Sequence, residues 1–364
     1  MAQEKSVSRH DHYAAFDGLR GLAAISVVLF HIGHWLNVPW LAANSDLAVG
    51  FFFCLSGYVM VLAYGRKLEQ GISFISFVRI RLIRLMPIIV LGLCISFLYL
   101  LMRVFVKHEN VAPVALVLSF ALGLVNLPYL NAPAVIGGPE IFPLNGPQYS
   151  LFLEIVANFV WAGVRRLNGL IVSFSLAVLC YGVVLWDGIG GDESRTFWLG
   201  FPRVGASFFL GIALFHFDKR YLQKLSWGAV VWPTVFFTGV AIMLVTFFWP
   251  VNVPALGTWF WIPLLSPLLI LSGAKVRLSG TLRSLSLLGG ALSYPIYALH
   301  YPLFCWINGI YQIIMAHRDV RIEGPLILVA VLGLSYLALR FVDEPLRDRL
   351  ARYALPKNGL SSAP

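Results

Sequence analysis

The chain has 364 residues, of which 59% are hydrophobic and only 12% charged, about half the charge that a soluble domain of this length carries. That excludes an ordinary soluble protein and leaves an all-α, polytopic membrane protein whose backbone polar groups are satisfied inside helices. The net charge of +10 would fit a nucleic-acid partner, but the lysines and arginines sit in short loops between apolar stretches. There they read as topogenic charge facing anionic lipid.

In chain order, residues 1–15 are polar and read as a cytoplasmic segment, because Lys5, Arg9 and Arg20 hold this end inside. The first apolar run, about 20–37, is too long for a signal-peptide core and reads as an uncleaved anchor running outward. Span 2 (46–64) returns to Arg66, Lys67, Arg79, Arg81 and Arg84, and span 3 (85–106) runs outward again. Arg165 and Arg166 demand the inside after the helix that opens near Tyr149, so 112–131 must start and end outside. Its breakers, Pro113, Pro128 and Pro133, agree with a re-entrant or shallow element. Spans near 169–187, 197–217, 227–249, 256–273, 287–315 and 325–342 follow. The expectation is about ten crossings with both termini cytoplasmic, one transmembrane domain over 16–344 and a cytoplasmic tail over 345–364. The span at 287–315 is longer than a bilayer needs and should tilt, or break near Pro295 or Pro302. Cys54, Cys94, Cys180 and Cys305 all fall in apolar stretches, with no spacing that suggests a disulfide framework or a zinc site.

Polar residues inside spans are costly and are therefore functional candidates. His31 lies roughly 16 Å along span 1 from Arg20, near mid-membrane, and His34 follows at i+3 on the same face. Glu154 lies about one turn below the outer end of its helix, and His300 near the same depth. Ser56 and Gly57 interrupt the apolar run of span 2. At the opposite end, "FVRIRLIRLMP" puts Arg81 and Arg84 at i and i+3, with Arg79 nearby. Guanidinium pairs at that spacing suit phosphate oxygens. Arginines below and an ionisable histidine above describe a channel for a phosphate-bearing molecule whose reactive end reaches upward.

Five stretches together resemble the acyltransferase-3 family of bacterial membrane O-acyltransferases. They are "FDGLRGLAAISVVLFH", with Arg20 and His31 in its Arg-x10-His pattern, "FFFCLSGYV", "FVRIRLIRLMP", "PQYSLFLE" and "LSYPIYALHYPL". They occur in the family's order along nearly the whole chain. Gly50 stands where the family often has Asp, Tyr149 replaces the usual Trp, and Ile155 stands where many members have a second Glu.

The resemblance implies transfer of an acyl group, usually acetyl, from cytoplasmic acetyl-CoA to a carbohydrate hydroxyl at the outer side of the bacterial inner membrane, with no metal. His31 would be the general base, with Glu154 and His34 supporting it. Glu154 would orient the imidazole, offset its charge or hold acceptor hydroxyls. Arg20, Arg79, Arg81 and Arg84 would grip the donor's phosphates. Ser56, Gly57 and Tyr58 would sit near its thioester, with Ser56 and the Gly57 backbone as candidate oxyanion donors. Tyr149, Ser150 and His300 would face the acceptor, a polysaccharide, glycolipid or oligosaccharide. The rival reading is a glycolipid or polysaccharide transporter that uses the same buried His, Glu and Arg residues. It predicts two related halves, which the sequence does not display.

Overall fold

A computed structural model describes residues 13–164, 169–224, 230–315 and 317–354. The topogenic residues Lys5, Arg9, Arg165 and Arg166, and most of the expected tail, lie outside these. Apolar runs that cannot hand their N–H and C=O groups to water must close them locally. The outcome is 79% helix with no strand among the described residues.

The helices are α1 (Ala14–Trp35), α2 (Ala48–Glu69), α3 (Phe74–Val106), α4 (Pro113–Leu124), α5 (Gln148–Gly163), α6 (Leu170–Asp187), α7 (Gly200–Arg220) and α8 (Val231–Phe247). A further rod joins α9 (Pro254–Leu256), a π-helical stretch at Gly257–Leu265 and α10 (Ser266–Gly273). Then come α11 (Gly280–Met315), α12 (Val320–Ala338), a π-helical turn at Leu339–Asp343 and α13 (Glu344–Ala354). Seven helical segments are long and apolar enough to cross a membrane. With α5, α8 and the more polar α11, the count is about ten. At 12 residues, α4 reaches only about 18 Å against a hydrocarbon core of about 30 Å, so it does not cross.

Caps and prolines set the boundaries. Ser73 Oγ accepts the Ser76 N–H at 3.1 Å and opens α3 well before residue 85, so the arginines lie within the helix rather than ahead of it. Asp319 Oδ1 likewise accepts the Arg321 N–H at the start of α12. α11 does not break: it is one helix of 36 residues containing Pro295 and Pro302. Pro302 removes the N–H that Ala298 O would accept, and Asn145 Nδ2 donates to that oxygen instead at 3.0 Å.

Packing places α1 along α11 and α2 along α7, with α6 on the outer side of α7. The α2–α7 contact requires glycine. A Cβ at Gly57 would lie 2.0 Å from Phe208 O, and one at Gly211 would lie 1.9 Å from Cys54 O. Small residues of this kind let backbones approach where no hydrophobic force drives helices together. All four cysteines are free thiols.

Candidate active site

Five helices converge on a cavity of about 120 Å³ bordered by Arg20 of α1, Ser56 of α2, Arg81 and Arg84 of α3, Ser150 and Glu154 of α5, and Tyr294 and Tyr297 of α11. At its centre, Glu154 Oε1 accepts two hydrogen bonds, from Arg81 Nη2 at 2.9 Å and from Ser56 Oγ at 2.8 Å. Arg81 is almost wholly buried (3% exposed), and Glu154 is half-buried (19%). A lone charge at that depth is costly, and a hydrogen-bonded pair is the arrangement that tolerates it.

This corrects the expectation that Glu154 stands apart from the arginines beside His31. α3 begins at Phe74, which carries Arg81 two turns into the bundle, while the short α5 brings Glu154 down from its other end. Two long side chains then span the remaining gap. Ser56 gives its only hydrogen to Glu154, so in this arrangement it has none for an oxyanion. Arg81 Nε is buried and meets no acceptor among the described residues. Guanidinium groups of Arg20, Arg81 and Arg84 border the cavity, and such groups suit anionic oxygens.

A second polar layer adjoins the cavity through Tyr297. Its ring lies 5.9 Å from that of His300 and 5.6 Å from Phe52, another cavity residue. Its hydroxyl is 2.7 Å from Ser150 Oγ. His300 is fully buried and its ring centre is 5.0 Å from that of His31. Trp35, one turn along α1, stacks on His31 at 5.1 Å and on His300 at 6.1 Å. His31 is half-buried and borders this layer, not the arginine cavity.

Other expected site residues lie elsewhere. His34 is exposed, and so is Arg79, which does not line the cavity. Gly57 faces α7, and Tyr58 OH donates to Asp218 Oδ2 at 3.0 Å, where Lys275 Nζ pairs with the same carboxylate at 2.5 Å. Both therefore pack helices together, away from the cavity. Tyr149 OH accepts from Arg203 Nη1 at 3.0 Å, and Tyr149 does not line the cavity. A Cβ at Gly50 would meet Ser207 Oγ at 3.7 Å and Trp261 Cδ1 at 3.9 Å, so a carboxylate there would address α7 rather than His31.

Three residues were missed. Tyr294 and Tyr297 stand at i and i+3 in "LSYPIYALH", and that spacing was the available signal; Tyr294 OH donates to Leu85 O. Arg203, alone in the apolar run "FPRVGASFF", was equally visible. In the 132–148 connection, burial beside Asp192 and Glu193 pushes the Glu140 carboxyl up to about 7.

The profile of an acyltransferase domain matches residues 13–340, almost the whole described chain. The chain belongs to the acyltransferase-3 family. Among this family member's relatives, Protein 2 in the picA locus of Rhizobium radiobacter is 35% identical over 188 residues, 48% of this chain and 96% of that protein. O-acetyltransferase OatA of Staphylococcus aureus (strain NCTC 8325 / PS 47) is 25% identical over 355 residues, 92% of this chain and 57% of that protein. The chain thus spans less than two thirds of OatA. No solved structure shows significant similarity. Family membership and the apolar helices make this an integral membrane acyltransferase.

Proposed function

We propose that the protein moves an acetyl group from cytoplasmic acetyl-CoA to a hydroxyl of a carbohydrate acceptor that approaches from the other side of the membrane. The observation that carries this reading is the arginine cavity. Three guanidinium groups from two helices border one small space. A CoA ester brings anionic oxygens to such a wall and a thioester to its interior. A cavity of about 120 Å³ is well below the ~300–1,000 Å³ that encloses a drug-sized ligand. It therefore holds only part of such a donor. The relative named O-acetyltransferase points the same way.

In this reading the acceptor hydroxyl reaches His31, which takes its proton as the oxygen attacks the thioester carbon. Arg20 and Arg84 hold donor phosphates. Glu154 keeps Arg81 in place rather than acting on the acceptor. Family membership favours this enzyme over the transporter alternative.

The test is radiolabelled acetyl-CoA with purified protein in lipid nanodiscs, measuring thiol release and label transfer to a glycan panel. Wild type should turn the donor over. His31→Ala should lower the rate about 10²–10⁴-fold, the usual cost of losing a general base, while still binding CoA. His31→Ala activity within a few-fold of wild type would remove His31 from the chemistry.

A further inference from the structure

His300 has one ring nitrogen committed and one open. Nδ1 lies 2.7 Å from Tyr297 O and 3.2 Å from Ile296 O. Carbonyl oxygens only accept, so Nδ1 carries the hydrogen, and in the neutral ring Nε2 is then a bare lone pair. That nitrogen is buried and meets no donor among the described residues. An unmatched buried acceptor is costly, which makes it a site looking for a hydrogen. Of the rings around His300, that of His31 is the nearest, 5.0 Å away between centres and tilted by 33°, against 5.9 Å for Tyr297 and 6.1 Å for Trp35. At that separation an N–H of one imidazole reaches a nitrogen of the other when their edges turn to face.

We propose that His300 is the proton-relay partner of His31. The inference rests on the acyl-transfer reading above and gives the second imidazole a defined task. As the acceptor oxygen bonds to the thioester carbon and the C–S bond breaks, the hydroxyl proton passes to one nitrogen of His31. The hydrogen on the other His31 nitrogen passes to His300 Nε2. The imidazolium so formed keeps its Nδ1–H on Tyr297 O, which stabilises the charge. The steps then reverse, and the proton ends on the departing CoA sulfur. One O–C bond is formed, one C–S bond is broken, and one hydrogen has moved from oxygen to sulfur. His300 acts through His31 and does not touch the substrate, which explains how it can be fully buried while His31 is half-exposed.

His300→Asn is the discriminating variant, because the asparagine amide can still donate near the Nδ1 position but has no Nε2. Two measurements on protein in nanodiscs decide the matter. In ¹⁵N-histidine NMR of wild type, with His31→Ala and His300→Asn used for assignment, His300 should give the signature of a protonated Nδ1 and a bare Nε2. In steady-state assays, His300→Asn should lower kcat by at least ~10²-fold with the KM for acetyl-CoA unchanged. The double variant with His31→Ala should be no slower than the slower single variant by more than a few-fold, as expected when two residues act as one unit. A protonated Nε2 in the spectrum, near-normal kcat in His300→Asn, or multiplying losses in the double variant would each overturn the relay. A wild type that turns over no acyl donor would count against the acyl-transfer reading instead, and the spectrum still decides the tautomer separately.

Discussion

The arginine cavity and the imidazole layer touch through Tyr297, yet they are built on opposite rules. In the cavity, charge is tolerated because it is shared: Arg81 and Ser56 both donate to Glu154 Oε1. In the layer there is no ion pair. Trp35 stacks on His31 and His300, and His300 is held by its Nδ1 on the carbonyls of Tyr297 and Ile296. The difference teaches that the two regions should fail differently. Breaking the Arg81–Glu154 pair should lose fold and donor binding together, because a charge inside the bundle loses its partner. A damaged layer should lose rate alone.

Arg81→Ala is the hardest blow to that contrast. It strands a half-buried carboxylate, so the cost should approach, from below, the roughly 3–5 kcal/mol of breaking a fully buried pair. A large fall in Tm together with lost acetyl-CoA binding is expected, measured by thermal unfolding and ligand titration in nanodiscs. Arg81→Lys should recover part of the stability and little of the binding, since an ammonium offers no fork. An Arg81→Ala protein of unchanged Tm would mean that the pair contributes nothing to the fold.

Glu154→Gln sharpens the comparison. The amide oxygen can still accept from Ser56 and Arg81, so the stability cost should be smaller, on the order of 1–3 kcal/mol. Arg81 then keeps its full charge for the donor, and the affinity for acetyl-CoA should rise. A tenfold loss of affinity would show that the carboxylate itself shapes the donor site.

How these residues come together was only partly legible in the sequence. Apolar runs gave the helices, and Arg165 with Arg166 required 112–131 to return on one side, which agrees with the short α4. Spacing reports which residues share a face of one helix, and so Arg81 with Arg84 was visible. It does not report which faces of different helices meet, and so the Arg81–Glu154 pair was not. Motif adjacency misled for the same reason. Ser56 reaches the cavity while Gly57, next in chain, lies against Phe208 O of α7. His31 and His34 differ in exposure although they are three residues apart. Pro302 gave a break signal that Asn145, some 150 residues away, silences.

Arg84→Ala tests the cavity without the pair. Arg84 forms no close ion pair with a described residue, although its charge lies near the buried Asp343. Tm should therefore fall less than in Arg81→Ala, while acetyl-CoA affinity falls about tenfold or more, the value of one charge-assisted hydrogen bond. Unchanged affinity would return Arg84 to simple anchoring at the membrane edge. The smallest effect is expected outside both regions, at Glu140. Its carboxyl titrates near 7 in the fold rather than at the ordinary 4.5, so the fold prefers the protonated form. Its stabilising contribution is full below about pH 4.5 and is lost as pH rises through 7. With solvent screening, that loss should be on the order of 1 kcal/mol. Glu140→Gln should flatten this part of the pH–Tm curve, and an unchanged curve would show that Glu140 does not titrate there.

The most direct test of the division between the two regions is the kinetic split in Arg84→Ala, His31→Ala and their double variant, assayed for transfer from acetyl-CoA. Separate tasks predict that Arg84→Ala raises the donor KM with kcat held within a few-fold. His31→Ala should lower kcat by about 10²–10⁴ with KM held, and the double variant should carry the product of both. If Arg84→Ala instead lowers kcat at saturating donor as far as His31→Ala does, with KM unchanged, then the arginines belong to the chemistry and the two regions are one.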